Sequence, residues 1–465
     1  MSATALPPGP RQPGPVQAAL WGLRYAQFTG AARERYGTTY SIRPGTMPRM
    51  VVTTDAAAIK TLLTGDPLAK RHGNDVVRPL IDDGAVILLD GPEHLARRKL
   101  LLPPFHGEHV RSYAALMERL MEDEVAAWRA GDTVTLLPIA QNVTIEVILQ
   151  AVLGVRDRAL RERFRRLIDN VLFYPFGHAR LRLGHRAPAV RLPRRLREAA
   201  AFAASVGTPA VTTYFPELKT RSRWNAGTWR WWRHHDALFA LFEDQIAATR
   251  ADPRLDERED VLALLIRARD EDGRPIPEQD LREDLMTLIS AGHETTAAAI
   301  AWGAVLLAHH PDVRERAEAA VRDGDDAWMG ALVKEVLRYR SPLPVAAVRR
   351  LEAPLEVDGH TIPAGTNLAI DAWGLHHDPA RYPEPERFRP ERFLEDGAES
   401  YSWLPFGGGS RRCIGAALAE LEIRVALTTV LRRVRLEPAE PELPPTARRG
   451  IVFVPHGGAR VRISA

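Results

Sequence analysis

The sequence is poor in cysteine, in lysine and in long hydrophobic runs. With one cysteine, Cys413, among 465 residues, the chain forms no internal disulfide and no metal site made from a pair of cysteines. No run of 18 apolar residues occurs, which argues against a transmembrane helix. Lysine supplies only 5 of the 63 basic residues, and 59 acidic residues offset them, so little positive charge is left to bind nucleic acid. We expect a soluble, cytoplasmic protein with no transmembrane segment and no nucleic-acid partner.

The composition is that of a globular chain that can bury a large core. Apolar residues make up 45% of the sequence and charged residues 26%, as in ordinary soluble domains. We interpret residues 1–29 as a Pro-rich N-terminal segment and residues 30–465 as a single domain. Helical periodicity covers most of the chain, with short β-like runs near both ends, which predicts a mainly α fold with small β-sheets, in the α+β class.

Three local patterns are specific enough to predict individual elements. The longest helical pattern covers residues 278–309 and is apolar on nearly all sides after Leu285, which predicts a buried central helix. Asp55 follows a β-like run and has the side chain of a helix N-cap. Two β-like runs, 451–454 and 459–463, flank a pair of glycines and predict a C-terminal hairpin.

The segment around the single cysteine carries the clearest chemical signal. Residues 406–415 read Phe-Gly-Gly-Gly-Ser-Arg-Arg-Cys-Ile-Gly, and a helical pattern follows. Backbone amides at the start of that helix, together with Arg411 and Arg412, are expected to stabilise Cys413 as a thiolate. This favours a metal-bound sulfur. Gly415 leaves the backbone bare of a side chain at the point where a flat ligand would lie.

This segment resembles the haem-binding loop of the cytochrome P450 superfamily, whose pattern is Phe-x-x-Gly-x-Arg-x-Cys-x-Gly. The resemblance implies the cytochrome P450 fold, in which a long central helix lies over haem b, iron protoporphyrin IX. It also implies that the cysteine of the loop is the axial ligand of the haem iron, and that Phe406 packs beside it. The matching residues are Phe406, Gly409, Arg411, Cys413 and Gly415.

The central helical pattern carries a second match, Ala-Gly-His-Glu-Thr-Thr at residues 291–296. It is similar to the oxygen-activation motif of the family, which implies that Glu294 and Thr295 are catalytic and that Ala291 lies against the haem. A carboxylate beside a hydroxyl can relay protons. The string also begins His-Glu, but a zinc-protease motif would need a second histidine where Ala297 stands.

Four basic residues match positions at which the family binds the haem propionates. His94 and Arg98 lie one helical turn apart, and cationic donors suit carboxylates. Arg349 and Arg411 would complete the set. Arg350 competes with Arg349 for the third position, and the sequence leaves the choice between them open.

A further match concerns the family's structural cluster of one glutamate and two arginines. Glu335 and Arg338 lie three positions apart on one predicted helical face. The second arginine comes from a Pro-Glu-Arg-Phe segment, of which the sequence has two copies. Spacing to neighbouring residues favours the later copy, with Arg392, over the earlier copy, with Arg387.

The resemblance implies a haem-thiolate monooxygenase that inserts one atom of dioxygen into a small hydrophobic substrate, by hydroxylation or epoxidation. The sequence shows no reductase motif, so electrons are expected from a ferredoxin-type donor with its reductase, docking near Cys413 and the Arg98-Lys99 pair. Two alternatives are a non-catalytic haem or ligand-binding protein and a peroxide-driven haem enzyme. The intact Glu294-Thr295 pair argues against both.

The substrate cannot be read from the residues that are expected to line its pocket. These are residues 74–89, Leu288, Ala291 and Val345, mostly small or aliphatic, which suit a lipid, a terpenoid, a steroid or a polyketide equally. Residues 224–233 hold four tryptophans with interleaved arginines. Packing of an ordinary helix is favoured for them over a membrane contact or a substrate entrance.

Overall fold

A computed structural model of the chain describes residues 6–45, 49–65, 70–78, 80–182, 226–395 and 401–464. Helices dominate this part of the chain, as the periodicity predicted. Their bounds are α1 (Gly14–Leu23), α2 (Tyr25–Tyr36), α3 (Ala56–Thr64), α4 (Gly91–Leu101), α5 (Gly107–Ser112), α6 (Ala114–Val125), α7 (Leu136–Val147), α8 (Arg158–Arg182), α9 (Ala226–Arg250), α10 (Val261–Arg267), α11 (Glu278–His309), α12 (Pro311–Asp323), α13 (Asp326–Tyr339), α14 (Ala372–His376) and α15 (Ala416–Arg433).

The strands form small sheets at the edges of the helical body. One sheet has the strand order β1-β2-β8-β5-β3, a second β4-β12-β9, and two pairs are β6-β7 and β10-β11. The strand bounds are β1 (Thr39–Ile42), β2 (Met50–Thr53), β3 (Lys70–His72), β4 (Thr133–Thr135), β5 (Val345–Leu351), β6 (Leu355–Val357), β7 (His360–Ile362), β8 (Asn367–Asp371), β9 (Arg435–Pro438), β10 (Thr446–Arg449), β11 (Val452–Pro455) and β12 (Arg460–Ser464).

The central helix α11 runs through the core, as its apolar pattern predicted. It has 32 residues, and at 1.5 Å per residue it is about 48 Å long. Acidic Glu278 and Asp280 lie in its first turn, where they complement the positive end of the helix. Its last turn ends where the ring of His309 contacts the carbonyl oxygen of Val305 at 2.9 Å. The helix packs against α7, α15 and β11.

The C-terminal strands are present, but the predicted hairpin between them is wrong. β11 pairs with β10, with Arg449 opposite Val452, whereas β12 pairs with β4 and β9. The residues between β11 and β12 explain this. Gly457, Gly458 and Ala459 have φ angles of 77°, 85° and 65°, a left-handed stretch that turns the chain out of one sheet and into the other.

The predicted cap of α3 agrees with the structure, whereas the predicted surface position of two histidines does not. The Asp55 carboxylate accepts a hydrogen bond of 2.8 Å from the Ala58 amide, and so caps α3. The adjacent histidines at 234/235, 309/310 and 376/377 have no converging partners in the sequence, which predicts surface or capping roles for them, but His376 and His377 are buried. The ring of His376 accepts a hydrogen bond of 2.9 Å from the Leu404 amide, which ties it into the loop that leads to Cys413.

The tryptophan cluster lies partly outside the described residues. Of its members, Trp231 donates an indole hydrogen bond of 2.9 Å to the carbonyl of Val171 in α8. The imidazole of His235 stacks on the ring of Phe239, with the centroids 4.3 Å apart. These contacts lie within and between two helices.

In the described ranges, none of the helices has the length and apolar character that crossing a membrane requires.

One carboxyl group in the core has no ionic counterpart in the described part of the chain. Glu422 lies on the buried face of α15, and its Oε1 atom forms no hydrogen bond within the described ranges. Burial raises the pKa of Glu422 from 4.5 to about 8. The folded protein therefore keeps this carboxyl protonated over a pH range in which an unfolded chain ionises it.

We predict that Glu422→Gln stabilises the protein more at pH 8 than at pH 5. Ionisation of the unfolded state begins above pH 4.5 and that of the folded state near pH 8, so wild-type stability falls across this window and levels off above it. At 1.36 kcal/mol per pH unit, the full effect is about 5 kcal/mol. Thermal unfolding of both proteins at the two pH values measures it, with exposed Glu34→Gln as the control. An equal gain at both pH values would contradict the assignment.

Candidate functional site

The loop that presents Cys413 is shaped by a close backbone contact with α3. A Cβ atom on Gly409 would lie 1.7 Å from the carbonyl oxygen of Leu63, and Gly409 has a φ of 65°, so only glycine fits there. The Cys413 amide donates a hydrogen bond of 3.0 Å to the carbonyl of Phe406. The Phe406 ring packs edge-on against Trp403 at 5.9 Å. These contacts fix the loop before α15 begins.

Cys413 combines an exposed side chain with surroundings that are largely protein. Its side chain is exposed to water, yet burial by surrounding protein raises the pKa of its thiol. A sulfur atom that faced a space enclosed by protein would be both accessible and desolvated. The Gly415 amide and the charges of Arg412 and Arg98 act in the opposite direction. The amide and Arg412 thus favour the thiolate as expected, but desolvation outweighs them and the thiol pKa is raised. Arg411, expected to contribute, is turned towards Asp90.

The backbone of Gly415, two residues after Cys413, has free space next to it. It has an ordinary φ of −86°, and a Cβ atom placed on it would meet no atom within 4 Å. Neither backbone strain nor packing in the described structure explains a glycine at this position. A flat group lying against the backbone would explain it, which is what the sequence analysis expected.

The central helix has one face that the described part of the chain does not cover. Leu288, Ala291, Gly292 and Thr295 follow the spacing of a single helical face. Ala291 is exposed and the other three are partly exposed, although most of α11 around them is buried. The Thr295 hydroxyl donates a hydrogen bond of 2.6 Å to the Ala291 carbonyl. Ala291 and Thr295 therefore share this open face.

Glu294 is held on a different side of the helix. Its carboxylate accepts a hydrogen bond of 2.7 Å from the amide of Gln141 in α7, and its Oε1 lies 3.3 Å from Nε of Arg449 at the end of β10. The side chain is buried. Burial raises the pKa of Glu294, while Arg449 and Gln141 act to lower it. The net effect is a raised pKa, and acids with a perturbed pKa cluster at functional sites.

His94, Arg349 and Arg411 line one pocket, together with Gly91 at the start of α4. Strand alternation settles the orientation of the two adjacent arginines of β5, since Arg349 is buried and Arg350 is exposed. Arg349 is the one that reaches the pocket.

The pocket is electropositive. Burial lowers the pKa of His94 to about 3, and Arg411, Arg98 and Arg349 lower it further in that order of importance. The pKa of Arg349 is lowered to about 10, first by burial and then by Arg411. Mutual repulsion among buried cations is relieved by an anion. Carboxylate groups such as the haem propionates therefore fit this pocket.

Asp90 and His72 belong to this region, and the sequence reasoning missed both. Asp90 precedes α4 but caps no amide of that helix. Its carboxylate instead accepts hydrogen bonds of 2.7 Å from the Arg411 guanidinium and of 2.7 Å from the His72 amide. The sequence signal at Asp90, an acid before Gly-Pro, indicates a helix start and gives no hint of these long-range partners.

The predicted cluster of one glutamate and two arginines is confirmed. Arg338 donates to both carboxylate oxygens of Glu335, at 2.7 and 2.9 Å, and Nε of Arg392 lies 3.2 Å from Glu335. The earlier copy contributes the backbone carbonyls of Pro385 and Arg387, which accept hydrogen bonds from Arg338 and Arg392, but its arginine side chain takes no part. The Arg387 side chain is 61% exposed and pairs with Glu384.

A site with a single thiol ligand suits a metal that brings most of its other ligands with it, as haem iron does in its porphyrin. The cationic pocket supplies partners for the porphyrin carboxylates, and the acid and alcohol of the central helix can handle protons. A mainly α fold with these features defines a haem-thiolate enzyme.

Comparisons with known proteins give the family. The family model Cytochrome P450 matches residues 7–460, and the chain belongs to this family. It is 35% identical to cytochrome P450 135B1 of Mycobacterium bovis, over 100% of this chain and 92% of that protein. It is 33% identical to cytochrome P450 138 of Mycobacterium tuberculosis, over 98% and 96%.

Solved structures agree on the fold. Retinoic acid-bound cyanobacterial CYP120A1 matches with a TM-score of 0.77 and 23% identity, over 99% of each chain. The cytochrome P450DA heme domain matches with a TM-score of 0.77 and 21% identity, over 99% of this chain and 97% of the other. The expected mainly α cytochrome P450 fold is confirmed. The chain is thus a cytochrome P450 monooxygenase, an oxidoreductase that uses a haem cofactor, dioxygen, a substrate and redox partners.

We predict that Arg349→Gln weakens haem retention and that Arg350→Gln does not. Hydrogen bonds to charged groups contribute about 1.5–3 kcal/mol, so haem loss from the Arg349 variant should be roughly ten to a hundred times faster. Transfer of haem to an excess of a haem-free globin, followed by absorbance, measures the rate. The two arginines are neighbours on one strand, and equal rates for both variants would show that strand orientation does not select the haem partner.

Proposed function

We propose that the enzyme inserts one atom of dioxygen into a small hydrophobic substrate, by hydroxylation or epoxidation, and reduces the other atom to water. The observation that carries the proposal is the exposed Cys413 sulfur, which lies beside the open backbone of Gly415. Family membership supports the reaction class. The hydrophobic substrate is supported by the apolar residues of the open helix face.

The cofactor we propose is haem b, with Cys413 as the axial ligand of its iron. When bound, haem supplies the iron that activates dioxygen, and a thiolate ligand favours cleavage of the O–O bond. Gly415 would lie against one face of the ring and Ala291 towards the other. The Phe406 carbonyl holds the Cys413 amide. Partners for the propionates would be His94, Arg98, Arg349 and Arg411.

Glu294 and Thr295 are the catalytic residues in this proposal. Thr295 lies on the open face of the helix with its hydroxyl bonded to the Ala291 carbonyl. The adjacent Glu294 carboxyl can gain and lose a proton, because burial and Arg449 pull its pKa in opposite directions. The two side chains together provide a route for protons from the protein interior to the open face.

The proposed pocket for the substrate is lined by residues 74–89, Leu288, Ala291 and Val345. Leu288 and Val345 are partly buried apolar residues, and each packs against a different cluster of buried core residues. A lipid, a terpenoid, a steroid or a polyketide would suit such walls. A binding screen that follows the spin state of the haem iron would identify the class.

We propose a ferredoxin-type donor and its reductase as the source of electrons, in the cytoplasm. Arg412 and Lys99 are exposed near the loop and α4 respectively, which supports an acidic partner. The Lys99 amine pairs with Glu271 at 2.7 Å, so a docking partner would have to compete with that carboxylate. The two alternatives, a non-catalytic haem or ligand-binding protein and a peroxide-driven haem enzyme, have less support than the monooxygenase, since both leave the buried Glu294 beside Thr295 without a purpose.

We predict that the reduced carbon monoxide complex of the haem-loaded protein has the long-wavelength absorption of a thiolate-ligated haem. Cys413→Ser removes the sulfur donor, and its complex should absorb at shorter wavelength or fail to form. Absorbance spectra of both proteins check this. A wild-type spectrum like that of a histidine-ligated globin would overturn the proposed ligand.

We predict that Thr295→Ala uncouples electron use from product formation once a substrate is known. Loss of the hydroxyl interrupts proton delivery at the open face, so product per electron pair should fall by roughly tenfold and peroxide should accumulate. Product and peroxide are measured against consumption of reductant. Ser290→Ala is the matched control, because the Ser290 hydroxyl bonds the Met286 carbonyl four residues earlier in the same helix, at 2.7 Å. Equal coupling in wild type and Thr295→Ala would remove Thr295 from the proposal.

A further inference from the structure

The acid of the central helix and its neighbouring alcohol point in different directions. Consecutive residues of a helix are rotated by about 100°, and the contacts of Glu294 and Thr295 reflect this. Thr295 shares the open face with Ala291, whereas Glu294 is held between Gln141 of α7 and Arg449 of β10. A proton that passes from Glu294 to Thr295 must therefore leave a carboxyl group that is in contact with α7 and β10.

The strand pair that carries Arg449 is itself fixed to the central helix. The Trp302 indole of α11 donates a hydrogen bond of 3.1 Å to the carbonyl of Phe453 in β11, and the Phe453 amide donates to the carbonyl of Pro342 at 2.8 Å. Arg449 is the last residue of β10. Its guanidinium thus reaches Glu294 from a rigidly attached element.

Gln141 provides the second contact on the carboxylate, at its other oxygen atom. Its neighbour Thr144, one turn along α7, lies 3.0 Å from the ring of His293. Two residues of the 291–296 motif are therefore anchored to α7 and the strand pair β10-β11, while Thr295 is left on the open face. The arrangement separates the acid from the alcohol in the resting protein.

We propose that Arg449 is a positioning residue that holds the Glu294 carboxylate in this resting orientation and sets its protonation behaviour. The proposal rests on the proposed role of Glu294 in proton delivery. Release of Glu294 from Arg449 is then a step that precedes proton transfer towards Thr295. The end of the strand pair β10-β11, distant in sequence from the helix motif, becomes part of the proton supply.

Among the groups around Glu294, Arg449 is the one that most lowers the pKa of this carboxyl, against the effect of burial. The pKa of Glu294 is raised by burial, lowered first by Arg449 and then by Gln141, and raised by Asp169 of α8. His293 is neutral near pH 7, since burial, Arg449 and Arg165 of α8 lower its pKa to about 3. On α7, Glu146 is paired with Arg165 at 2.6 Å.

The test compares Arg449→Gln, Arg449→Lys and Glu294→Gln with the wild type, all haem-loaded. Arg460→Gln is the matched control, because Arg460 of β12, in a different sheet, pairs with a different glutamate, Glu440, at 3.0 Å. Each protein is reduced with dithionite and mixed with aerated buffer between pH 5 and pH 9, and the rate of reoxidation is followed by absorbance. Thermal unfolding of Arg449→Gln, Glu294→Gln and the double variant is measured alongside. Neither measurement needs the substrate.

We expect the reoxidation rate of the wild type to show a pH inflection that Glu294→Gln abolishes. Arg449→Gln should move this inflection to higher pH by about one unit or more, since a nearby opposite charge lowers a carboxyl pKa by that amount. Arg449→Lys should restore it in large part, and Arg460→Gln should leave it unchanged. The effects of Arg449→Gln and Glu294→Gln on unfolding should be non-additive.

The possible failures separate the two proposals. If Glu294→Gln abolishes the inflection while Arg449→Gln leaves it in place, Glu294 keeps its role and Arg449 is not its positioning residue. If Glu294→Gln itself leaves the inflection unchanged, the proposed proton-delivery role of Glu294 fails, and the inference about Arg449 fails with it. Additive unfolding effects combined with a shifted inflection would also overturn the inference, since the two groups would not interact directly.

Discussion

The buried ion pair of Glu335 and Arg338 organises the part of the chain that leads to the cysteine. Both side chains are fully buried, and Arg338 also donates to the carbonyls of His376 and Pro385. These hydrogen bonds hold an irregular stretch that helical or sheet ladders do not support. Removing one partner from a buried pair costs about 3–5 kcal/mol. The position of Cys413 therefore depends on charges that lie far from it in the sequence.

The haem side of the structure shows how a fold accumulates one sign of charge for a ligand. In a partly buried pocket, Arg411 lowers the pKa of Arg349 and Arg98 lowers the pKa of Arg411, and Asp90 offsets part of this by binding Arg411. The same environment works against the free Cys413 thiolate, whose thiol pKa is raised by burial. In the proposed site, binding of the metal and loss of the thiol proton would be linked events, and one cofactor would complete both the pocket and the sulfur.

The proton side of the site follows a different principle, because its key acid is held by groups from distant parts of the chain. Gln141 and Arg449 are 308 positions apart in the sequence, yet both contact the Glu294 carboxylate. The central helix gives the spacing of acid and alcohol, and its neighbours decide where the acid points. The helix motif alone therefore does not define the proposed proton route. The elements packed around the helix are needed to orient the acid.

The local sequence determined the elements and the motif residues, because helical periodicity, the Asp55 cap and the glycines of the Cys413 loop act over a few positions. Gly409 is an example, since its close contact with Leu63 leaves room for no side chain. Tertiary structure alone decided the strand partners of 452–455 and 460–464, the choice of Arg349 over Arg350, and the contacts of Asp90 and Arg449. Each of these depends on which backbone or charged group from a distant part of the sequence lies next to the residue in the fold. Desolvation, which outweighed the expected effect on the Cys413 thiol, is likewise a property of the packed interior.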